Sequence, residues 1–143
     1  MSTLFDKLIG KTITKLTVSE DGIYLEAWMG EESLAWIVEG DCCSQSWFND
    51  ILGLEALLNS PIQSIEYVDL PDLENGDDEG YGDRTQVYGH KFKTLKGYAE
   101  IIFRNHSNGY YGGWCEEVVL PQNLKDPIKW INVTEDWTAN ANS

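Results

Sequence analysis

Residues 12–38 read TITKLTVSEDGIYLEAWMGEESLAWIV, and this stretch decides the fold. Apolar side chains recur among polar ones at Ile13, Leu16 and Val18, again over Ile23–Met29, and again over Leu34–Val38. Each run is short and rich in β-branched and aromatic residues, the composition of a strand. Asp21-Gly22 separates the first two runs and is a hairpin signal, because glycine takes positive φ without steric cost. Gly30-Glu31-Glu32 marks the second reversal. Three strands joined by tight turns make an antiparallel meander.

Downstream, Gly40-Asp41-Cys42-Cys43-Ser44 precedes Trp47, Phe48, Ile51 and Leu52, whose spacing predicts one face of a helix. Leu54–Leu58 adds another helical turn, ended by Asn59-Ser60-Pro61. Strands are expected over Ile62–Leu70, Gln86–Leu95, Tyr98–Arg104 and Tyr110–Leu120, with a short strand or helix around Ile128–Val133. Upstream, Ser2 caps a short helix carrying Leu4, Phe5, Leu8 and Ile9. The expected class is α+β: a largely antiparallel sheet of six or seven strands with short helices packed on one side. One domain is expected over 1–143, with a frayed tail at 134–143.

The chain carries 24 acidic and 10 basic residues, a formal net charge of −14 in 143 residues. Its 42% hydrophobic and 12% aromatic content suits a packed core and argues against disorder. Such acidity disfavours general binding to nucleic acid or anionic membrane, both of which favour basic patches. No apolar run approaches the roughly 18–20 residues that span a bilayer, and no export signal opens the sequence. Cytoplasmic placement with reduced thiols is therefore expected, and adjacent Cys42 and Cys43 fit it, since neighbouring cysteines seldom bond each other.

The charge is local. Residues 41–68 hold four acids and 69–83 hold seven, with no base in either, so 41–83 supplies −11 of the −14. Residues 84–120 reverse the sign, with five bases against three acids. The stretch 71–83 is long for a structureless connection in a compact domain, which points to mobility or to binding. Its uncompensated field would speed association with basic partners and imitate the phosphates they hold, with Tyr81 as an aromatic anchor.

Other candidates are weaker. Asp41, Cys42 and Cys43 with His90, His106 or Cys115 offer soft ligands, but zinc patterns space their cysteines two to four residues apart. Asp77-Asp78-Glu79 lacks the alternating order of a calcium loop. No metal and no cofactor is expected. Cys43 ahead of a helix, with His90 or His106 as base, is a minor route to a thiol-dependent enzyme, and Asp41 beside it opposes thiolate formation. Ser107-Asn108-Gly109-Tyr110-Tyr111 is a turn followed by two Tyr on opposite strand faces, one of them presented outward as a stacking surface.

Several blocks occur in a particular order: Ile9-Gly10-Lys11-Thr12-Ile13, Gly40-Asp41-Cys42-Cys43-Ser44, Leu57–Ile62, Phe92–Gly97, Ile101–Arg104 and Ser107–Tyr111. Together they resemble a domain-of-unknown-function family of small proteins encoded by bacteriophages and prophages. The resemblance spans roughly residues 8–120 and implies viral origin, action in the cytoplasm of an infected host cell, and no established chemistry. The chain departs from the family pattern at Gly112-Gly113-Trp114-Cys115, in its longer acid-rich stretch, and after Pro121.

The leading expectation is a non-enzymatic phage accessory protein. It would bind and inhibit a basic, nucleic-acid-handling host defence protein, such as a CRISPR effector or restriction enzyme. The surface would be Asp72, Glu74, Asp77, Asp78, Glu79, Tyr81 and Asp83, with no direct contact to nucleic acid or membrane. The alternative is a binding protein that sequesters a nucleotide-like signal through Arg104, His106, Asn108, Tyr110, Tyr111 and Trp114.

Overall fold

The structure, a computed structural model, describes residues 4–40, 44–71, 73–74, 84–107, 113–121, 123 and 127–139. The meander forms as its sequence dictates: β1 (Lys15–Ser19), β2 (Tyr24–Met29) and β3 (Glu32–Gly40) pair antiparallel. Gly22 takes φ +77° in the first reversal, where Asp21 Oδ1 accepts the Ile23 N–H at 3.1 Å. Strands β9 (Gly113–Val118) and β10 (Trp130–Val133) complete a five-stranded sheet in the order β10-β1-β2-β3-β9.

A second antiparallel sheet holds β4 (Gln45–Leu52), β5 (Ile62–Asp69), β6 (Leu73–Glu74), β7 (Arg84–Thr94), β8 (Gly97–Ser107) and β11 (Trp137–Thr138). Its order is β11-β4-β8-β7-β5, with β6 following β5 along the same edge of β7. The fold is therefore mostly β and built from two sheets, not from the single six- or seven-stranded sheet with helices on one side that the sequence pattern suggested. Among the described residues helix is minor: α1 (Leu54–Leu57), a 3-10 turn at Asp6–Leu8 and the helical residue Asn123.

The reason lies in what each sheet must cover. Leu16, Val18, Leu25, Ala27, Trp36 and Val38 line one face of the first sheet, and Phe48, Ile51, Ile65, Phe92, Ile101 and Phe103 line one face of the second. These faces meet in one cluster of buried residues. The Phe5 ring joins them, 4.8 Å from the Trp36 ring centroid and 5.4 Å from that of Phe92.

The helix expected around residues 47–52 is strand β4. A bulge between Phe48 and Asp50 inserts Asn49, so that Phe48 and Ile51 both face inward although they stand three apart. A bulged strand thereby copies the spacing of a helical face. The same irregularity between Ile62 and Ser64 puts Ile62 and Ile65 on the core side of β5.

At one end the sheets approach closely. Gly40 of β3 faces Gly113 of β9, and this pair lies on Ser46 and Asn105 of the second sheet. A Cβ at Gly113 would sit 2.7 Å from Asn105 Cβ, whereas one at Gly40 would chiefly meet the Ser44 hydroxyl and, at 2.9 Å, Asn105 Oδ1, both side-chain ends rather than a Cβ. We expect Gly113→Ala to cost about 1–3 kcal/mol, and Gly40→Ala less, in urea-unfolding midpoints. A Gly113→Ala variant as stable as the wild type would show that the sheets do not touch there.

Candidate functional site

The strand register brings together connections that are distant in sequence. Gln45 pairs with His106, His106 with Thr85, Ser107 with Arg84, and Arg84 with Glu74, all at one end of the second sheet. Gly40 and Gly113 close the first sheet over the same end. The strand ends leading into 41–43, 75–83 and 108–112 thus lie side by side. Asp72, Asp77, Asp78, Glu79, Tyr81 and Asp83 lie outside the described residues, as do Cys42, Cys43, Asn108, Tyr110 and Tyr111. Glu74 is placed in β6, opposite Arg84.

Beneath this end is a polar network between the sheets, which the sequence reading missed. Ser46 Oγ lies 2.8 Å from Asn105 Oδ1 and 2.9 Å from the Glu39 carbonyl oxygen. Asn105 Nδ2 donates to Gln86 Oε1 at 3.4 Å, which also accepts the Tyr88 hydroxyl at 3.0 Å. Asn105 is wholly buried, and an apolar site could not hold its amide without such partners. The available signal was alternation: Gln86, Tyr88, Phe103 and Asn105 share the inward period of β7 and β8.

Arg104 and His106 stand two apart on β8 and share the outer face of the second sheet. Trp114 lies on β9, opposite Glu39, at 40% exposure on the outer face of the first sheet. The structure therefore groups the first two and sets Trp114 apart. His106 Nδ1 is 3.2 Å from Thr85 Oγ1. Arg104 Nη2 is 3.8 Å from Asp50 Oδ2, and its buried Nε has no hydrogen-bond partner among the described residues. Asp50 itself accepts from Asn49 Nδ2 at 2.8 Å and from the Thr138 hydroxyl at 3.0 Å.

One further base on this face stands opposite acids. Lys91 is flanked across the ladder by Glu66 and Glu100, and its Nζ sits 4.3 Å over the Tyr98 ring. Lys96 Nζ donates to the Leu58 carbonyl at 2.9 Å. Folding thus matches Arg104 and Lys91 with Asp50 and Glu66 from the acid-rich stretch. The segment 69–83, with seven acids and no base, holds the remaining excess.

Two titratable groups sit inside. His90 is 6% exposed, with the rings of Phe5, Tyr67 and Phe103 at 5.0, 5.5 and 6.2 Å between centroids. Its Nδ1 has no hydrogen-bond partner among the described residues, and burial pushes its pKa down to about 4. The half-buried Cys115 thiol is pushed well above its ordinary range by burial and then by Glu116, which favours the protonated form. Among the described residues no three His, Cys, Asp or Glu side chains gather as a metal site.

A cleft of about 640 Å³ opens at the other end, lined by Leu54, Glu55, Leu58, Lys96, Glu135 and Asp136 among others. Asp136 Oδ1 accepts the Leu54 N–H at 3.0 Å, which ties the chain after β10 to the start of α1. Asp136 and Lys96 thus fasten the structure around it.

Comparison with known proteins places the chain in a family of unknown function and stops there. The DUF7448 domain, described as a domain of unknown function, matches residues 6–117. The chain belongs to this family. Uncharacterized protein L278 of Acanthamoeba polyphaga mimivirus is 39% identical over 83 residues, covering 54% of this chain. The chain spans 62% of that relative's length. No solved structure matches the chain.

His90 makes stability depend on pH with a definite sign. Above pH 6.5 the imidazole is neutral in both folded and unfolded chains. Between 6.5 and about 4 the unfolded chain takes up the proton and the folded one resists it, so stability falls with pH across this window. The full loss is about 3 kcal/mol. His90→Phe is expected to flatten the urea-midpoint profile between pH 6.5 and 4. An unchanged slope would assign the loss to other groups.

Proposed function

We propose that the chain is a phage-encoded, non-enzymatic accessory protein. It acts in the host cytoplasm by binding and inhibiting a basic, nucleic-acid-handling defence protein. One observation carries this reading: Lys91 of β7 stands between Glu66 and Glu100 and Arg104 of β8 lies near Asp50, while no base occurs anywhere in 41–83. An acidic excess that folding does not match is suited to an outside cation-rich surface. The viral relative supports the viral setting. In this reading Asp72, Glu74, Asp77, Asp78, Glu79 and Asp83 supply the charge and Tyr81 the anchor.

The small-ligand alternative draws less support from the geometry. Arg104 has unspent donors beside His106, but Asp50 lies 3.8 Å from the guanidinium and would repel an anion. Trp114 belongs to the other sheet.

The test is binding to purified CRISPR effectors and restriction enzymes from the host, measured by calorimetry at low and high salt. Affinity should fall at least about tenfold as the Debye length shrinks from roughly 10 to 3 Å. Replacing Asp77, Asp78 and Glu79 by Asn, Asn and Gln should weaken binding at low salt. Absence of binding to every such enzyme, or binding indifferent to salt, would overturn the proposal.

A further inference from the structure

On the outer face of the second sheet one apolar side chain is buried without help from its strand neighbours. Ile102 of β8 stands on this face, opposite Gly89 of β7 on one side and Asp50 of β4 on the other, yet it is only 7% exposed. Gly89 is itself buried and has no side chain to give cover. The space above it belongs to Leu70, the residue that follows β5. A Cβ at Gly89 would lie 2.8 Å from Leu70 Cδ1 and 3.5 Å from Leu70 Cγ. Leu70 is therefore a knob in the hole that glycine leaves in β7, next to Val68, which pairs with Gly89.

This seat lies where the edge of the sheet is interrupted. Strand β5 pairs with β7 as far as Asp69 and Tyr88, and β6 resumes the edge with Leu73 opposite Thr85. Three residues, 70–72, separate these pairs on one chain and two, 86–87, on the other, so β6 does not continue the register of β5. Strand β6 is two residues long. So short a strand has little pairing of its own, and an anchor close by must hold it in place. Leu70 stands between the two strands and is the side chain with a built seat.

We propose that Leu70, seated on Gly89, is a latch for β6. Seated, it keeps β6 on the edge of β7. Lifted, it lets β6 leave while the rest of the second sheet stays folded, and the edge of β7 at Arg84–Thr85 is uncovered. The purpose of the latch rests on the acidic-surface reading above. Glu74 is the acid of that surface which lies within the described residues, and β6 sets it opposite Arg84. Release of β6 takes Glu74 away from Arg84 and gives it to a basic partner.

Native-state amide hydrogen exchange of the full chain tests this with two variants that unseat Leu70 in opposite ways. Leu70→Ala empties the hole. Gly89→Ala fills it, and the flexible end of Leu70 swings aside without displacing β7. Both are expected to speed exchange at Leu73 and Glu74 by about fivefold or more beyond any change at Ile101–Phe103 of β8, which reports opening of the whole sheet. Equal acceleration at the two places would make Leu70 a packing residue with no separate motion, and would overturn the latch. Unchanged exchange at Leu73 and Glu74 in either variant would overturn it as well. No partner takes part in this measurement, so its failure leaves the acidic-surface reading to its own salt test.

Discussion

Two sheets share one core here, and at one end their backbones come together where Gly40 and Gly113 lie on Ser46 and Asn105. Bulk at Gly113 would part the sheets at this end and open the network that Asn105 holds together. The contact also ties the end of β3 to the starts of β4 and β9, which flank residues 41–43 and 108–112. Phe5 is the counterpart further inside, its ring wedged between Trp36 and Phe92. Glycine at one end and aromatic volume at the other keep the faces in register.

That arrangement sorts the charge. Antiparallel pairing sets Glu66 and Glu100 across from Lys91, and Asp50 near Arg104. A chain that reads as a negative block followed by a positive one becomes, in the second sheet, a face of mixed sign. The seven acids of 69–83 begin at the end of β5, and Glu74 among them stands opposite Arg84 of β7. The proposed function rests on the acids of this stretch, because matched pairs on a surface contribute little to stability or to attraction.

Much of the first sheet was legible in the sequence. The β1–β3 meander follows from alternation and from Asp21-Gly22, since local turns fix local register. The strands at 62–70, 86–95 and 98–104 were legible for the same reason. The division into two sheets was not, because it depends on which strands pair at long range, and nothing in residues 12–38 states that β9 and β10 join their flanks. The segment 47–52 was misread for a definite reason: a bulge gives Phe48 and Ile51 a three-residue spacing that a helix would also give. At the candidate site, Arg104 and His106 were named together from one net-positive stretch, and β8 sets them two apart on one face. The Ser46–Asn105–Gln86–Tyr88 network escaped notice because polar residues on an alternating strand read as solvent-facing until the second sheet covers them.

The central claim is the proposal that the acids of 69–83, a stretch with no base of its own, serve an outside partner rather than bases of the chain itself. Its most direct test is the dependence of the wild-type unfolding free energy on sodium chloride at neutral pH. Unmatched acids repel one another, so added salt should raise stability through screening. A fall in stability with salt would mean that these acids are held by bases of the chain itself, and would contradict the account.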